Sequence, residues 1–133
     1  MLYQILLSFN NKLCLTAYTY DYYLRKRFGK KCFKVPLDGG FSCPNRDGTC
    51  GVGGCIFCGE RGSGEKLTPL KIQEQIKNYL TSYKIERANK FIVYFQNFSG
   101  TYASIDHLKK IYNSCLIDHR IVGINIGTRP DCI

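Results

Sequence analysis

Residues 91–95 read Phe-Ile-Val-Tyr-Phe, an unbroken apolar run. A run of this kind is typical of a parallel strand that is covered on both faces. Two more apolar segments, Cys32–Leu37 and Ile121–Ile126, have the length of strands. Pro36 in the first of them cannot donate a hydrogen bond to a neighbouring strand, so it belongs on an edge strand or at a strand end. The sequence therefore predicts three strands.

Segments with helical spacing separate these strands. Thr68 and Pro69 suit an N-cap and a first helical residue, and the apolar face that follows them consists of Ile72, Ile76, Tyr79 and Leu80. Ser104 is a candidate N-cap for a second helix, whose apolar stripe consists of Leu108, Ile111, Tyr112, Cys115 and Leu116. The βαβαβ order predicts right-handed crossovers in an α/β protein with a parallel sheet. Binding residues are then expected just after the carboxyl end of each strand.

The composition is that of a soluble globular domain, with 44% apolar and 22% charged residues in a chain of 133. No apolar stretch approaches the roughly 18 residues of a membrane span, so we expect no membrane association. The first residues also lack the basic start and the cleavage site of a secretory signal. We therefore expect a cytoplasmic protein whose cysteines are free thiols or metal ligands.

The positive charge is concentrated near the N-terminus. Of the net charge of +9, residues 1–34 supply most, since they hold seven Lys or Arg against a single acid, Asp21. Part of this segment, Tyr20–Phe28, has helical spacing and is followed by Gly29, a typical helix stop. The basic cluster at residues 25–31 is a candidate contact surface for RNA, although a solvated helix face is the commoner explanation of a charge run.

Four of the eight cysteines lie in one window of 16 residues: Cys43, Cys50, Cys55 and Cys58. The surrounding segment, residues 38–65, contains nine glycines and predicts a long functional loop. Cys55 and Cys58, with Cys43 upstream, suit an iron–sulfur cluster that keeps one iron open. All four cysteines could instead close a structural zinc site. Spacing alone leaves both interpretations open.

Several blocks of the sequence resemble the YhcC/YtqA-like radical S-adenosylmethionine (SAM) proteins. They are FKVPLDGGFSCPNRDGT at 33–49, GGCIFC at 53–58, YFQ at 94–96, TYA at 101–103 and IGTRPDC at 126–132. The blocks occur in the order found in that family, and the resemblance extends from about Tyr20 to the last residue. The run RPD at 129–131 also resembles, more distantly, the radical SAM module of the Elongator catalytic subunit, whose substrate is tRNA.

The resemblance implies the N-terminal part of a partial, TIM-like β/α barrel at residues 20–133, preceded by an extension of unknown structure at 1–19. The sequence ends shortly after the third strand, whereas a full barrel needs about 250 residues. We therefore expect a fragment truncated after that strand. A second chain that completes the barrel is a candidate partner, and the isolated chain is expected to enclose a substrate poorly.

The resemblance also implies a 4Fe-4S cluster on Cys43, Cys55 and Cys58, with Cys50 outside the motif. In such enzymes SAM chelates the open iron, and one electron cleaves it to a 5′-deoxyadenosyl radical, here acting on an unknown substrate. A reducing partner such as flavodoxin or ferredoxin is then required. The alternative is a non-enzymatic, basic module with a four-cysteine zinc site, of a kind that contacts nucleic acid.

Three polar residues after the second strand are candidate contacts for the amino group of SAM by their position: Gln96, Ser99 and Thr101. The Gly-Gly-Glu run that related enzymes have there is missing, and a polar loop that caps the next helix is an equal alternative. Arg129 suits the carboxylate of SAM or a substrate phosphate, because its planar guanidinium binds such groups well. Its alternative is a surface ion pair with Asp131 or Asp118.

Overall fold

The structure, a computed structural model, describes residues 18–62, 67, 70–82 and 89–133. Its elements in chain order are α1 (Tyr20–Phe28), β1 (Cys32–Leu37), α2 (Ile72–Ser82), β2 (Lys90–Phe95), α3 (Ile105–Asn113), β3 (Ile121–Ile126) and a short 3-10 helix (Pro130–Cys132). The strands form one sheet in the order β1-β2-β3, and both pairings are parallel. The predicted α/β class with a parallel sheet is confirmed. No helix within the described residues is long and apolar enough to cross a membrane.

Strand β2 occupies the centre of the sheet and is buried on both faces. Phe91, Val93 and Phe95 are fully buried in the larger core, which α2 and α3 cover. Ile92 points to the other face, where it packs with Leu24 of α1. Burying one such side chain contributes roughly 1.5–3 kcal/mol, so this strand supplies much of the stability of the domain. The unbroken apolar run at β2 reflects this double burial.

Helix α1 begins and ends as its sequence predicts. The Thr19 hydroxyl accepts a hydrogen bond of 3.1 Å from the backbone N–H of Tyr22 and so caps the first turn. Gly29 adopts a left-handed conformation, with φ of 72°, and its N–H donates to the carbonyl of Arg25 at 2.8 Å. That conformation is easily adopted by glycine, which explains the helix stop.

Helix α3 differs from expectation in two details. Ser104 stands at the N-cap position, but its side chain makes no capping hydrogen bond. The prediction that Leu116 belongs to the apolar stripe is wrong, because α3 ends at Asn113 and Leu116 is 65% exposed. Cys115 is fully buried as predicted, and desolvation raises the pKa of its thiol to about 12.

Gln75 of α2 fastens the end of β1 to the start of this helix. Its Oε1 accepts from the N–H of Asp38 at 2.9 Å, while its Nε2 donates to the carbonyls of Asp38 at 2.9 Å and Leu70 at 2.7 Å. The side chain is buried, so these bonds are shielded from water. The N-cap predicted at Thr68 and Pro69 lies outside the described residues, as do residues 1–17 of the predicted N-terminal extension.

Replacing Gln75 by alanine is expected to lower the free energy of unfolding by about 1–3 kcal/mol, because polar backbone groups around it lose their partner. Gln73→Ala is the matched control, since Gln73 is exposed on the same helix. Urea denaturation of both variants measures the difference. Equal midpoints for the two variants would contradict the role given to Gln75.

A carboxylate and a guanidinium fix the turn that enters β3. Asp118 accepts two hydrogen bonds from the Arg120 side chain, from Nε at 2.9 Å and from Nη2 at 2.7 Å. It also accepts one from the Arg120 backbone N–H at 2.8 Å. These bonds, the side-chain ones above all, lower the pKa of the Asp118 carboxyl to about 2.

Asp118→Asn is expected to cost about 1–2 kcal/mol of unfolding free energy near pH 7. Because the folded-state pKa lies below the unfolded value of about 3.9, this stabilisation is present above pH 4 and is lost as the pH falls toward 2. Denaturant titrations across this range should therefore show the gap between wild type and variant closing. A gap that stays constant on acidification would refute the assignment.

Candidate functional site

Two turns present the cysteines of the loop that follows β1. The carbonyl of Cys43 accepts from the N–H groups of Arg46 at 2.8 Å and Asp47 at 3.3 Å, so Cys43 opens the first turn. The N–H of Cys58 donates to the carbonyl of Cys55 at 2.9 Å and closes the second. Cys55 and Cys58, with the two residues between them, thus form a turn.

The thiol-bearing residues Cys43, Cys55 and Cys58 line one cavity of about 350 Å³. The opposite walls come from the segments that follow β2 and β3, through Gln96, Phe98, Ser99, Thr128 and Arg129. All three segments leave the sheet at the carboxyl ends of their strands, which is where the parallel topology predicts a binding site. The structure therefore brings six of the candidate site residues together.

Thr101 and Cys50 lie outside this cavity. The Thr101 hydroxyl forms hydrogen bonds with the hydroxyl of Thr128 and, at 2.5 Å, with the carbonyl of Cys132. It therefore joins the segments after β2 and β3 instead of capping α3. Cys50 is exposed, and its backbone N–H donates to the carbonyl of Pro44 at 2.8 Å.

Two of the thiols accept hydrogen bonds from neighbouring side chains. The Asn45 amide Nδ2 lies 3.2 Å from Sγ of Cys55, and the hydroxyl of Ser99 lies 3.7 Å from Sγ of Cys43. Ser99 is almost completely buried, so its hydroxyl is held in this direction by packing. Donors of this kind stabilise negative charge on sulfur and orient it.

Arg129 is held at the cavity wall by Asp131. Its Nε and Nη2 donate to the two carboxylate oxygens at 2.8 and 2.7 Å. This pairing raises the pKa of Arg129 and lowers that of Asp131, and the Cys43 thiol contributes a smaller upward effect on Arg129. Of the two ion pairs considered from the sequence, the one with Asp131 is formed, while Asp118 binds Arg120. Pairing fixes the Arg129 guanidinium at the cavity beside Cys43, while the Asp131 carboxylate offsets its charge.

Sequence reasoning missed Arg46 and Phe98, which support the same wall. Arg46 donates to the carbonyls of Glu60 at 2.6 Å and Gly59 at 2.5 Å, and its guanidinium lies 5.2 Å from the centre of the Phe98 ring. Phe98 has a φ of 57°, a conformation that bulky residues rarely adopt. Strain of this kind clusters at functional sites. These contacts join residues that are distant in sequence, so no spacing pattern predicts them.

Within the described residues, no group of three or more His, Cys, Asp or Glu side chains is close enough together to hold a single metal ion. The chemistry of the cavity does suit a sulfur-ligated group, because three thiols share it and two of them accept hydrogen bonds. Thiolates are the ligands of iron–sulfur clusters, and in a 4Fe-4S cluster each cysteine binds a different iron atom. The donor set therefore fits such a group.

Comparison with known proteins identifies relatives. The chain is 46% identical to the uncharacterized protein YtqA of Bacillus subtilis over 121 residues, which is 87% of this chain and 37% of YtqA. It is 40% identical over 111 residues to YhcC of Escherichia coli, covering 83% of the chain and 35% of YhcC. These matches support the resemblance of the chain to the YhcC/YtqA-like family.

A third relative is the uncharacterized protein MJ0486 of Methanocaldococcus jannaschii, 37% identical over 118 residues, which is 86% of the chain and 35% of MJ0486. The chain thus spans between 35% and 37% of the length of these relatives. No family model matches the chain, and no solved structure matches it.

A pair of glycine substitutions tests whether Arg46 organises the cysteine loop. Gly54 and Gly48 both have positive φ, of 91° and 92°, so alanine at either position is strained by about 1–3 kcal/mol. A Cβ at Gly54 would also come within 2.8 Å of Nε of Arg46, whereas one at Gly48 would meet nothing within 4 Å. Gly54→Ala is therefore expected to displace Arg46 and to accelerate amide hydrogen exchange at residues 55–62. Equal exchange in the two variants would count against this role.

Proposed function

We propose that this chain is a radical SAM protein that binds a 4Fe-4S cluster through Cys43, Cys55 and Cys58. SAM is the proposed second cofactor, at the iron that the three cysteines leave open, and the proposed activity is its reductive cleavage to act on a substrate still to be found. One observation carries the proposal: these three thiols line a single cavity at the carboxyl ends of three parallel strands.

The position of Cys50 favours a metal site with three cysteine ligands over one with four. Cys50 is exposed and is not among the residues that line the cavity of the other three cysteines. A structural zinc site needs four closed ligands, whereas a site that acts on a bound molecule keeps one metal position open. The arrangement of thiols therefore favours the open site.

The other cavity residues suit the binding of a polar cofactor next to the thiols. Arg129 presents a guanidinium that Asp131 holds in place and that can bind a carboxylate or a phosphate, and Ser99 and Asn45 donate to the sulfur atoms of Cys43 and Cys55. Gln96 also lines the cavity. When bound, a reduced cluster supplies one electron for the cleavage of SAM, while the protein orients the reactants and limits the access of water.

The short span of the chain relative to its relatives bears on activity. Since the chain covers between 35% and 37% of their length, enclosure of a substrate is proposed to need further strands, supplied by a longer polypeptide or by a second chain. A reducing partner of the flavodoxin or ferredoxin type completes the proposal. Cluster binding itself requires only the residues described above.

Anaerobic reconstitution with iron and sulfide tests the cluster. Wild-type chain and Cys50→Ala are expected to bind about four iron and four sulfide per chain, with a spectral change when SAM is added after reduction. Cys43→Ala, Cys55→Ala and Cys58→Ala should each lose the stable cluster. Cys50→Ala is the matched control, because it removes a thiol from the same loop.

Zinc is measured in the same samples. One tightly bound zinc that disappears in Cys50→Ala, together with no stable cluster, would replace the proposal by the structural zinc module. A cluster that forms but gives no spectral response to SAM would retain the iron–sulfur site and reject the SAM assignment.

A further inference from the structure

The exposed side of α1 carries paired tyrosine rings. Tyr18 and Tyr22 are 53% and 51% exposed, and their ring centres lie 5.1 Å apart in an edge contact. Tyr20 and Tyr23 form a second, stacked pair with a centroid distance of 6.3 Å and an angle of 22° between the rings. Tyr18 precedes the helix and the other three rings belong to its first turn, and each of the four is at least 36% exposed, so they form an aromatic patch at the N-terminal end of α1.

Basic side chains lie among these rings and just beyond the helix. Lys26, Lys30 and Lys31 are exposed and make no ion pair within the described residues. Arg27 donates to the hydroxyl of Tyr23 at 2.8 Å, which holds a cation beside a ring. The acid of this segment, Asp21, is neutralised by Arg25 at 2.7 Å. The surface is therefore strongly positive.

We propose that this face binds a single-stranded nucleic acid. We call it the α1 surface and define it by Tyr18, Tyr22, Tyr23, Lys26, Arg27 and Lys30. Exposed aromatic rings stack on unpaired bases of any sequence, and lysine and arginine side chains neutralise the phosphates between them. Bases in a duplex are already stacked and paired, so a ligand that uses these rings must be single-stranded.

The same residues fit an anionic membrane less well. A helix that lies in a membrane interface needs an exposed apolar face of residues such as leucine or phenylalanine. In α1 these residues, Leu24 and Phe28, pack against the sheet. Its exposed large side chains instead carry a hydroxyl or a charge.

The α1 surface lies near the edge of the sheet that carries the cavity. The Tyr20 hydroxyl donates to Oδ1 of Asn125 at 3.0 Å, one residue before β3 ends. The Lys34 ammonium lies over the rings of both Tyr20 and Tyr94, at 5.5 and 5.2 Å. These contacts fix the N-terminal end of α1 beside the carboxyl ends of β2 and β3. A single-stranded nucleic acid that is bound along α1 therefore lies close to the three loops of the candidate site.

Fluorescence anisotropy of the full chain with labelled uridine and deoxythymidine oligomers of about twelve nucleotides measures this binding. The double variant Tyr18→Ala/Tyr22→Ala is expected to weaken affinity about tenfold, whereas Tyr18→Phe/Tyr22→Phe keeps it because the rings remain. Lys26→Ala/Lys30→Ala should reduce the slope of log affinity against log salt by about 1.4, for two phosphate contacts. The ratio of uridine to deoxythymidine affinity tells whether the ligand is RNA or DNA.

Lys109→Ala/Lys110→Ala is the matched control, because these two lysines are exposed on α3, which covers the opposite face of the sheet. A loss in this control equal to that of the Lys26/Lys30 pair would overturn the proposal. So would undiminished binding by the alanine variant of the tyrosines, tighter binding to a duplex of the same length, or binding to phosphatidylserine vesicles but not to oligonucleotides. The assay needs no cluster, so its outcome is separate from that of the reconstitution.

Discussion

The parallel register of β2 with both of its neighbours is the constraint on which the rest of the structure depends. Leu37 lies opposite Phe95, and Phe95 lies opposite Ile126, so three segments leave the sheet at the same level. Backbone hydrogen bonds then join these segments: the N–H of Gly127 donates to Phe95 at 2.9 Å, and that of Gly100 donates to Gly127 at 2.8 Å. A Cβ at Gly100 would lie 2.7 Å from the side chain of Ile126, which explains the glycine at this crossing. Loops joined in this way can hold side chains from distant positions around one cavity.

Two guanidinium groups border that cavity, and the chain fixes each of them in a different way. Backbone carbonyls hold Arg46, whereas the carboxylate of Asp131 holds Arg129. Both cations are therefore in place before any ligand arrives.

The parts of the fold that were predictable depend on local pattern. The apolar runs identify all three strands, and Gly29 identifies the end of α1, because strand burial and helix termination each need particular residue types. Leu116 shows the limit of that reasoning, since periodicity cannot tell where a helix ends. Arg46 shows a second limit: it bonds to carbonyls 13 and 14 residues away, and carbonyls are present at every position, so nothing in the sequence marks these as its partners. The cysteine spacing indicated a site, but only the folded loop separates Cys50 from the others.

The proline in β1 makes the two edges of the sheet unequal as places where a further strand can pair. Pro36 stands within an edge strand and has no N–H, so the donor row along the outer side of β1 is interrupted. Strand β3 contains no proline, so each of its residues has a backbone N–H, of which that of Ile121 already donates to the carbonyl of Asp118 at 3.0 Å. A further strand, from a longer polypeptide or from another molecule, therefore meets no proline at β3, whereas it meets Pro36 at β1. Assembly of a larger sheet from this domain would therefore proceed from one side, away from the strand that leads into the cysteine loop.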